Sequence, residues 1–372
     1  GRKRTAPSSL PRRLMTDASE LCASALACDA EIASRGANCS CAAVRSPTSP
    51  KVLVPLPNGD ACAGGLRCAA GLGADNSLLR LAWARTAGFG DSTCFKMAVH
   101  QRQYGKDGAW MARGDYVSDD IRIRGTWEFK SVEQLERFSN VSLPARGTFV
   151  DIGAQIGYFS LNFARRGWSV LAIEPMPHNR RALRASLCVN PSLRSRLALL
   201  PYALVDKVLG QKRCIVRSGA HNRGNGAMRC GTGRQYQCKR TAPPATQTLC
   251  AEVATRTLDD VLERHRDSTR GAVDVVKVDV ENAECAVLDG GQSLWKYRPR
   301  LILVEAQNAK ALRCMRRHAV AHRYDLNARV PARNRALGFA VLTPSPAGAA
   351  RSRLACTGDQ AVCAELRKDE GG

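Results

Sequence analysis

The stretch FVDIGAQIGYFS, residues 149–160, decides the fold of this 372-residue chain. Its first half is a short apolar run that reads as a buried strand. A glycine-bearing turn follows, then a helix from about Tyr158 to Arg166, closed by Gly167 as its C-cap. The pattern then repeats. Ser169–Ile173 reads as a second buried strand, and Pro177 suits the first turn of a helix ending near Asn190-Pro191. Leu197–Val205, Val273–Val280 and Leu301–Val304 read as the third, fourth and fifth strands. Thr257 with Asp260 resembles a capping box opening a helix over Leu258–His265, and Ala283–Leu288 reads as helical up to Gly290-Gly291. Strands alternating with helices predict an α/β fold: a doubly wound, mostly parallel sheet with helices on both faces.

Outward from this core, residues 148–345 form the predicted main domain. Within it, residues 206–256 read as an irregular, glycine-rich and basic insert. Its four cysteines, Cys214, Cys230, Cys238 and Cys250, are expected to staple an otherwise loose loop. Residues 94–147 read as a lead-in that packs on the core. They carry alternating or aromatic segments at Cys94–Val99 and Ile121–Phe129 and an amphipathic helix around Val132–Phe138. Residues 1–93 read as a basic, Cys-rich N-terminal region, with a disordered leader over 1–20, and residues 346–372 as a C-terminal tail.

Hydrophobic residues make up 44% of the chain, which excludes wholesale disorder. Lys and Arg number 56 against 33 Asp and Glu, a net charge of +23. Such a charge suits a polyanionic partner, but arginine-rich, lysine-poor usage spread along the chain is also what a GC-rich coding bias leaves. One basic patch stands out: Lys310, Arg313, Arg316, Arg317, Arg323, Arg329, Arg333 and Arg335 against Asp325 alone. No apolar run is long enough for a transmembrane helix, and the opening GRKRTAPSSLPRRL has no apolar signal-peptide core. Sixteen cysteines lean toward an oxidising, secretory-pathway setting. Among Cys22, Cys28, Cys39, Cys41, Cys62 and Cys68 there is no C-x-x-C pair and no histidine, so disulfides or unpaired thiols fit better than zinc and no metal site is expected. His318 and His322, four apart among arginines, read as a solvated basic face.

The chemistry gathers at two strand ends. After the first strand, Asp151-Ile152-Gly153-Ala154-Gln155-Ile156-Gly157 forms the turn. Gly153 permits a tight reversal and Gly157 a close approach by a ligand or helix, and the helix beyond presents free amides. Glu174, which with Pro175 ends the second strand, is placed to accept hydrogen bonds from two ribose hydroxyls. The dinucleotide fingerprint needs G-x-G-x-x-G, whereas this turn has G-x-x-x-G behind an aspartate. That spacing fits S-adenosylmethionine, whose amino group seeks an acid and whose carboxylate seeks amides. A doubly wound domain without any cofactor is the plainer alternative.

At the end of the fourth strand, Lys277-Val278-Asp279-Val280-Glu281-Asn282-Ala283-Glu284 crowds three acids and a lysine against the ligand crevice. Asp279, Glu281 and Glu284 are the candidate catalytic groups. They would steady a sulfonium, hold a cation or accept a proton from a substrate hydroxyl. A solvated helix start explains Glu281 and Glu284 equally well. Glu305 closes the fifth strand on the same side.

FVDIGAQIGYFS at 149–160, AIEP at 172–175, TLDDVL at 257–262, VDVVKVDVENAECAVLDGG at 273–291 and RPRLILVEA at 298–306, in that order, resemble the FkbM-type methyltransferases. The resemblance covers about 148–345. It implies a seven-stranded class I, Rossmann-like fold and O-methyl transfer from S-adenosylmethionine. It implies cofactor contacts from Asp151, Gly153, Gly157 and Glu174, with Gln155, Ile156 and Pro175 beside them, and it sets Asp279 near the transferred methyl. HNRGNGAM at 221–228 resembles the family's Gly-Asn segment, which adds Asn222 and Asn225. Residues 95–128, ending in GTWE, resemble a lead-in carried by some members. The family's glycine after the acid of KxDxEG is Asn282 here, a residue that tolerates left-handed backbone. The expected acceptor is a hydroxyl on a glycan, lipid or small molecule. The rivals are an RNA methyltransferase, against which stands the lack of an N/D-P-P-Y tetrad, and a binding protein with a degenerate core.

Overall fold

A computed structural model describes residues 79–86, 93–100, 115–129, 132–207, 212–219, 222–238, 249–306, 308–330, 338–346 and 352–356. The expected leader and the cysteines from Cys22 to Cys68 lie outside these residues.

In chain order the elements are β1 (Leu79–Thr86), β2 (Thr93–His100), α1 (Tyr116–Arg124), α2 (Val132–Ser139), β3 (Thr148–Ile152), α3 (Tyr158–Arg165), β4 (Ser169–Ile173), α4 (Pro177–Cys188), β5 (Leu197–Leu200) and β6 (Tyr202–Leu204). Then come β7 (Arg213–Gly219), β8 (Asn222–Gly231), β9 (Leu249–Arg256), α5 (Leu258–Arg264), β10 (Val275–Val278), α6 (Glu284–Asp289), β11 (Leu301–Glu305), α7 (Ala309–His322), β12 (Tyr324–Val330), β13 (Phe339–Pro344) and β14 (Ser352–Cys356).

The main sheet runs β5-β4-β3-β10-β11-β13-β12, with β14 added at the far edge. The strands from β5 to β11 are parallel, and β13 is antiparallel to both its neighbours. The seven expected strands are therefore present. The eighth, β14, pairs parallel with β12 and comes from the stretch read as a tail. Chain order reverses between β3 and β10, so the crevice at their carboxyl ends is where a ligand belongs in an open sheet.

Strand periodicity divides the core. Phe149 packs with Phe163, Trp168 and Leu183 on one face of the sheet. Val150, Ile152, Val276 and Val278 pack with Leu258, Leu262, Trp295 and Met315 on the other. Thr257 caps α5 by accepting from the Asp260 amide at 3.1 Å, and Pro177 opens α4, both as the sequence predicts. The β1–β2 hairpin straddles the boundary drawn at 93/94 and docks on the first face: the Ala98 amide donates to Ser186 Oγ at 2.8 Å, and Asn190 Nδ2 to the Lys96 carbonyl at 2.7 Å.

Four readings are corrected. The third strand is two strands, because Pro201 has no amide to continue the ladder: β5 joins the main sheet, while β6 turns away to pair with β9. The insert is not irregular. β7, β8 and β9 form an antiparallel sheet extended by β6, and the disulfides Cys214–Cys230 and Cys238–Cys250 cross-link it. Ile121–Arg124 belongs to the helix α1, capped by Asp115. The residues His318 and His322 are no solvated face: both rings stack on Trp295, and His318 Nε2 lies 2.9 Å from Asp289 Oδ1. A third disulfide, Cys285–Cys314, ties α6 to α7. No helix among the described residues is long and apolar enough to cross a membrane.

Candidate active site

The carboxyl ends of β3, β4, β10 and β11 open into one cavity of about 910 Å³. Helix α1, β8 and the segment joining α1 to α2 complete its wall. Asp115 fastens this roof: its side chain takes the Ser118 amide at 3.0 Å and the Arg223 amide at 2.9 Å, joining α1 to β8.

Gly153 makes the first turn possible. It sits at φ +83, and a Cβ there would lie 1.7 Å from the carbonyl oxygen of Asp279. The β3 turn therefore presses directly on the end of β10. The Gly153 and Ala154 amides both donate to the Ile173 carbonyl, folding the turn over β4. Gln155 follows at φ 51, and its side-chain Nε2 is buried on the wall without a hydrogen-bond partner among the described residues. The Gln155 amide donates to Glu174 Oε2 at 2.9 Å. Glu174 also accepts from the Met176 amide at 2.8 Å and from Asn179 Nδ2 at 3.3 Å. Burial raises its pKa, and these hydrogen bonds oppose the rise.

Not every expected residue reaches the wall. Gln155, Glu174 and Pro175 line the cavity with Gly153, as do Asn222, Asn225, Asp279, Glu281 and Glu305. Ile156, Gly157, Asp151 and Glu284 do not. Ile156 is fully buried in the core. Gly157 caps α3 at φ +88, where a Cβ would strike Leu183, so its close approach serves helix packing and not a ligand. Asp151 lies one layer behind the wall and accepts from Ser160 Oγ at 2.6 Å. Glu284 accepts from the amides of Val280 and Asn282, so it shapes the loop that carries Glu281. In that loop Glu281 and Asn282 adopt φ of 55 and 75, the left-handed turn that Asn282 was expected to tolerate.

The electrostatics centre on Lys277, whose Nζ lies 2.7 Å from Asp279 Oδ2. Burial alone would lower its pKa, but Asp279, Glu128 and Asp151 outweigh burial and hold it above the usual lysine value. Burial pushes the pKa of Asp151 up, against the pull of Lys277. Asp279, Glu281 and Glu305 bring carboxylate oxygens within 4.8 Å of one another, a spacing that attracts positive charge. Asp289, Cys314 and His318 also converge, but Cys314 is committed to its disulfide.

Sequence reasoning missed Glu128. Its two carboxylate oxygens are closed to solvent and have no hydrogen-bond partner among the described residues. Burial raises its pKa to about 7. A lone glutamate after Trp127 offers no periodic signal, and only the GTWE resemblance pointed near it.

Residues 151–326 match the family model of the methyltransferase FkbM domain. Among solved structures, the chain is similar to a methyltransferase FkbM from Methylobacillus flagellatus KT, at 16% identity over 54% of this chain and 44% of that one, with a TM-score of 0.38. It is similar to a precorrin-6y C5,15-methyltransferase from Geobacter metallireducens GS-15, at 11% identity over 65% and 100% of the two chains, with a TM-score of 0.33. It is also similar to a ribosomal protein L11 methylase from Lactobacillus delbrueckii subsp. bulgaricus, at 12% identity over 59% and 81%, with a TM-score of 0.30. The chain spans less than half the length of the FkbM structure, and these likenesses are too slight to carry a substrate. No curated relative matches its sequence.

Proposed function

We propose that the chain transfers a methyl group from S-adenosylmethionine to a hydroxyl of a glycan, lipid or small molecule. The observation that carries this reading is Glu174, fixed by two backbone amides at the carboxyl end of β4 and lining the cavity beside the Gly153 turn. An ionised carboxylate has about four acceptor positions. With three donors already in place, Glu174 keeps room for a ribose hydroxyl.

The rest of the wall suits the same donor. The side-chain Nε2 of Gln155, without a partner among the described residues, offers a donor to a ligand carboxylate. The wall carries the acids Asp120, Glu128, Glu174, Asp279, Glu281 and Glu305 against the bases Arg124 and Lys277. This balance favours a ligand bearing positive charge and disfavours a polyanionic acceptor, so the chain's overall basicity does not extend to its pocket. The donor supplies an electrophilic methyl carbon on a positively charged sulfur. Asp279 and Glu281 steady positive charge at the crevice. Asp151 acts from behind, by holding Lys277. Trp127, Phe129, Tyr158 and Phe159 provide apolar walls that exclude water and strengthen charge interactions. The cavity lies near the top of the roughly 300–1,000 Å³ range of small-molecule sites, room for a donor and an acceptor together.

The test is transfer of labelled methyl to panels of sugars, lipids, small alcohols and RNA. Label in a hydroxyl of one of the first three supports the reading. Label in RNA alone, or in none, overturns it.

A further inference from the structure

Glu128 sits between α1 and α2 at φ 50, with its neighbours Trp127 and Phe129 bridged to each other. It lines the cavity. Around it stand Lys277 and Asp279 at the end of β10, Asp151 on β3, Glu281 in the next loop and Tyr158 on α3. Among its acidic neighbours, Asp151 accepts from Ser160 through one oxygen, Asp279 from Lys277, and Glu174 and Glu284 from backbone amides. Both oxygens of Glu128 are buried with nothing among the described residues donating to them. A buried polar group in that state calls for a partner, and the missing partner is one that brings hydrogen into the cavity.

We propose that Glu128 is the base that takes the proton from the acceptor hydroxyl, an inference that rests on the methyl-transfer reading above. The acceptor O–H bond breaks and its proton passes to a Glu128 oxygen. The electron pair left on the acceptor oxygen forms the bond to the methyl carbon, while the carbon–sulfur pair stays with the donor's sulfur. Burial has moved Glu128 close to neutrality, where a base works best.

The test uses the full chain and its Glu128→Gln and Glu128→Asp variants. An infrared titration of the protein alone should show a protonated carboxyl that ionises near 7 in the wild type and is missing from Glu128→Gln. Calorimetry with S-adenosylmethionine at about pH 5.5, where the wild-type Glu128 carries its proton, should give the same Kd for the wild type and Glu128→Gln. With the hydroxyl compound that the wild type methylates fastest, Glu128→Gln should lower kcat by about 10²–10⁴-fold. Glu128→Asp should restore part of it with a shifted acid limb in the pH profile. A Glu128→Gln variant with wild-type kcat, or one that keeps the ionisation near 7, overturns the proposal. Failure of the wild type to bind S-adenosylmethionine strikes the methyl-transfer reading instead, so the two failures are distinguishable.

Discussion

Lys277 Nζ lies 2.7 Å from Asp279 Oδ2 and 5.0 Å from the centre of the Phe159 ring, a buried cation held between a carboxylate and an aromatic face. It is the positive charge around which Asp151, Asp279 and Glu128 gather. Removing one partner of such a pair leaves the others uncompensated, at about 3–5 kcal/mol. Lys277→Met should therefore destabilise the protein by that order near neutral pH and by less at pH 5, where Glu128 carries its proton. Urea unfolding at both pH values checks this; equal losses would show that the charges are not coupled.

Glu128 gives the fold its own pH dependence. Its pKa is raised by burial from 4.5 to about 7, with Lys277 opposing. Between those values the folded chain holds a proton that the unfolded chain has released, so stability falls as pH rises through the window. At about 1.4 kcal/mol per pKa unit, the loss reaches roughly 3 kcal/mol above neutrality. Glu128→Gln should abolish this fall, and so be more stable than the wild type at pH 8 and little different at pH 4. Parallel slopes of melting temperature against pH would contradict it.

Two glycines with similar backbone angles separate sterics from conformation. A Cβ on Gly167, at φ +91, meets nothing within 4 Å, whereas one on Gly153, at φ +83, meets the Asp279 carbonyl. Gly167→Ala should cost about 1–2 kcal/mol, the left-handed penalty alone. Gly153→Ala should cost more and also weaken cofactor binding, because the β3 and β10 turns must part. Chemical denaturation of both variants makes the comparison.

The disulfides Cys214–Cys230 and Cys238–Cys250 close loops of 16 and 12 residues. Each is expected to contribute up to about 3 kcal/mol. The sheet they brace packs Val216 and Ala251 on Met176, two residues beyond Glu174. Mild reduction should lower the melting temperature and also the affinity for S-adenosylmethionine. Lower stability with unchanged affinity would uncouple the insert from the site.

Much of this was legible because the core strands are short apolar runs ending in chemistry. Gly153, Glu174 and Asp279 each follow such a run, and the alternation of strand and helix brings their ends to one edge. What was not legible depends on tertiary neighbours. Gly157 looked like a ligand approach, but Leu183 fills that space. Glu284 looked catalytic until its carboxylate was found turned to backbone amides. The insert seemed irregular because its long β8 alternates Gly and Asn with few apolar residues, and its order comes from pairing and cross-links. His318 and His322 misled through arginine neighbours, while their rings turned inward to Trp295. Glu128 carried no pattern at all, because its burial is made by residues distant in sequence.

The central claim is that Glu174 and the Gly153 turn form a cradle for S-adenosylmethionine. Calorimetric titration of the wild type and of Glu174→Gln with that compound tests it most directly. The account predicts saturable one-to-one binding by the wild type and at least a tenfold loss, about 1.4 kcal/mol, in the variant. No binding by the folded wild type, or equal affinity in the two proteins, would contradict it.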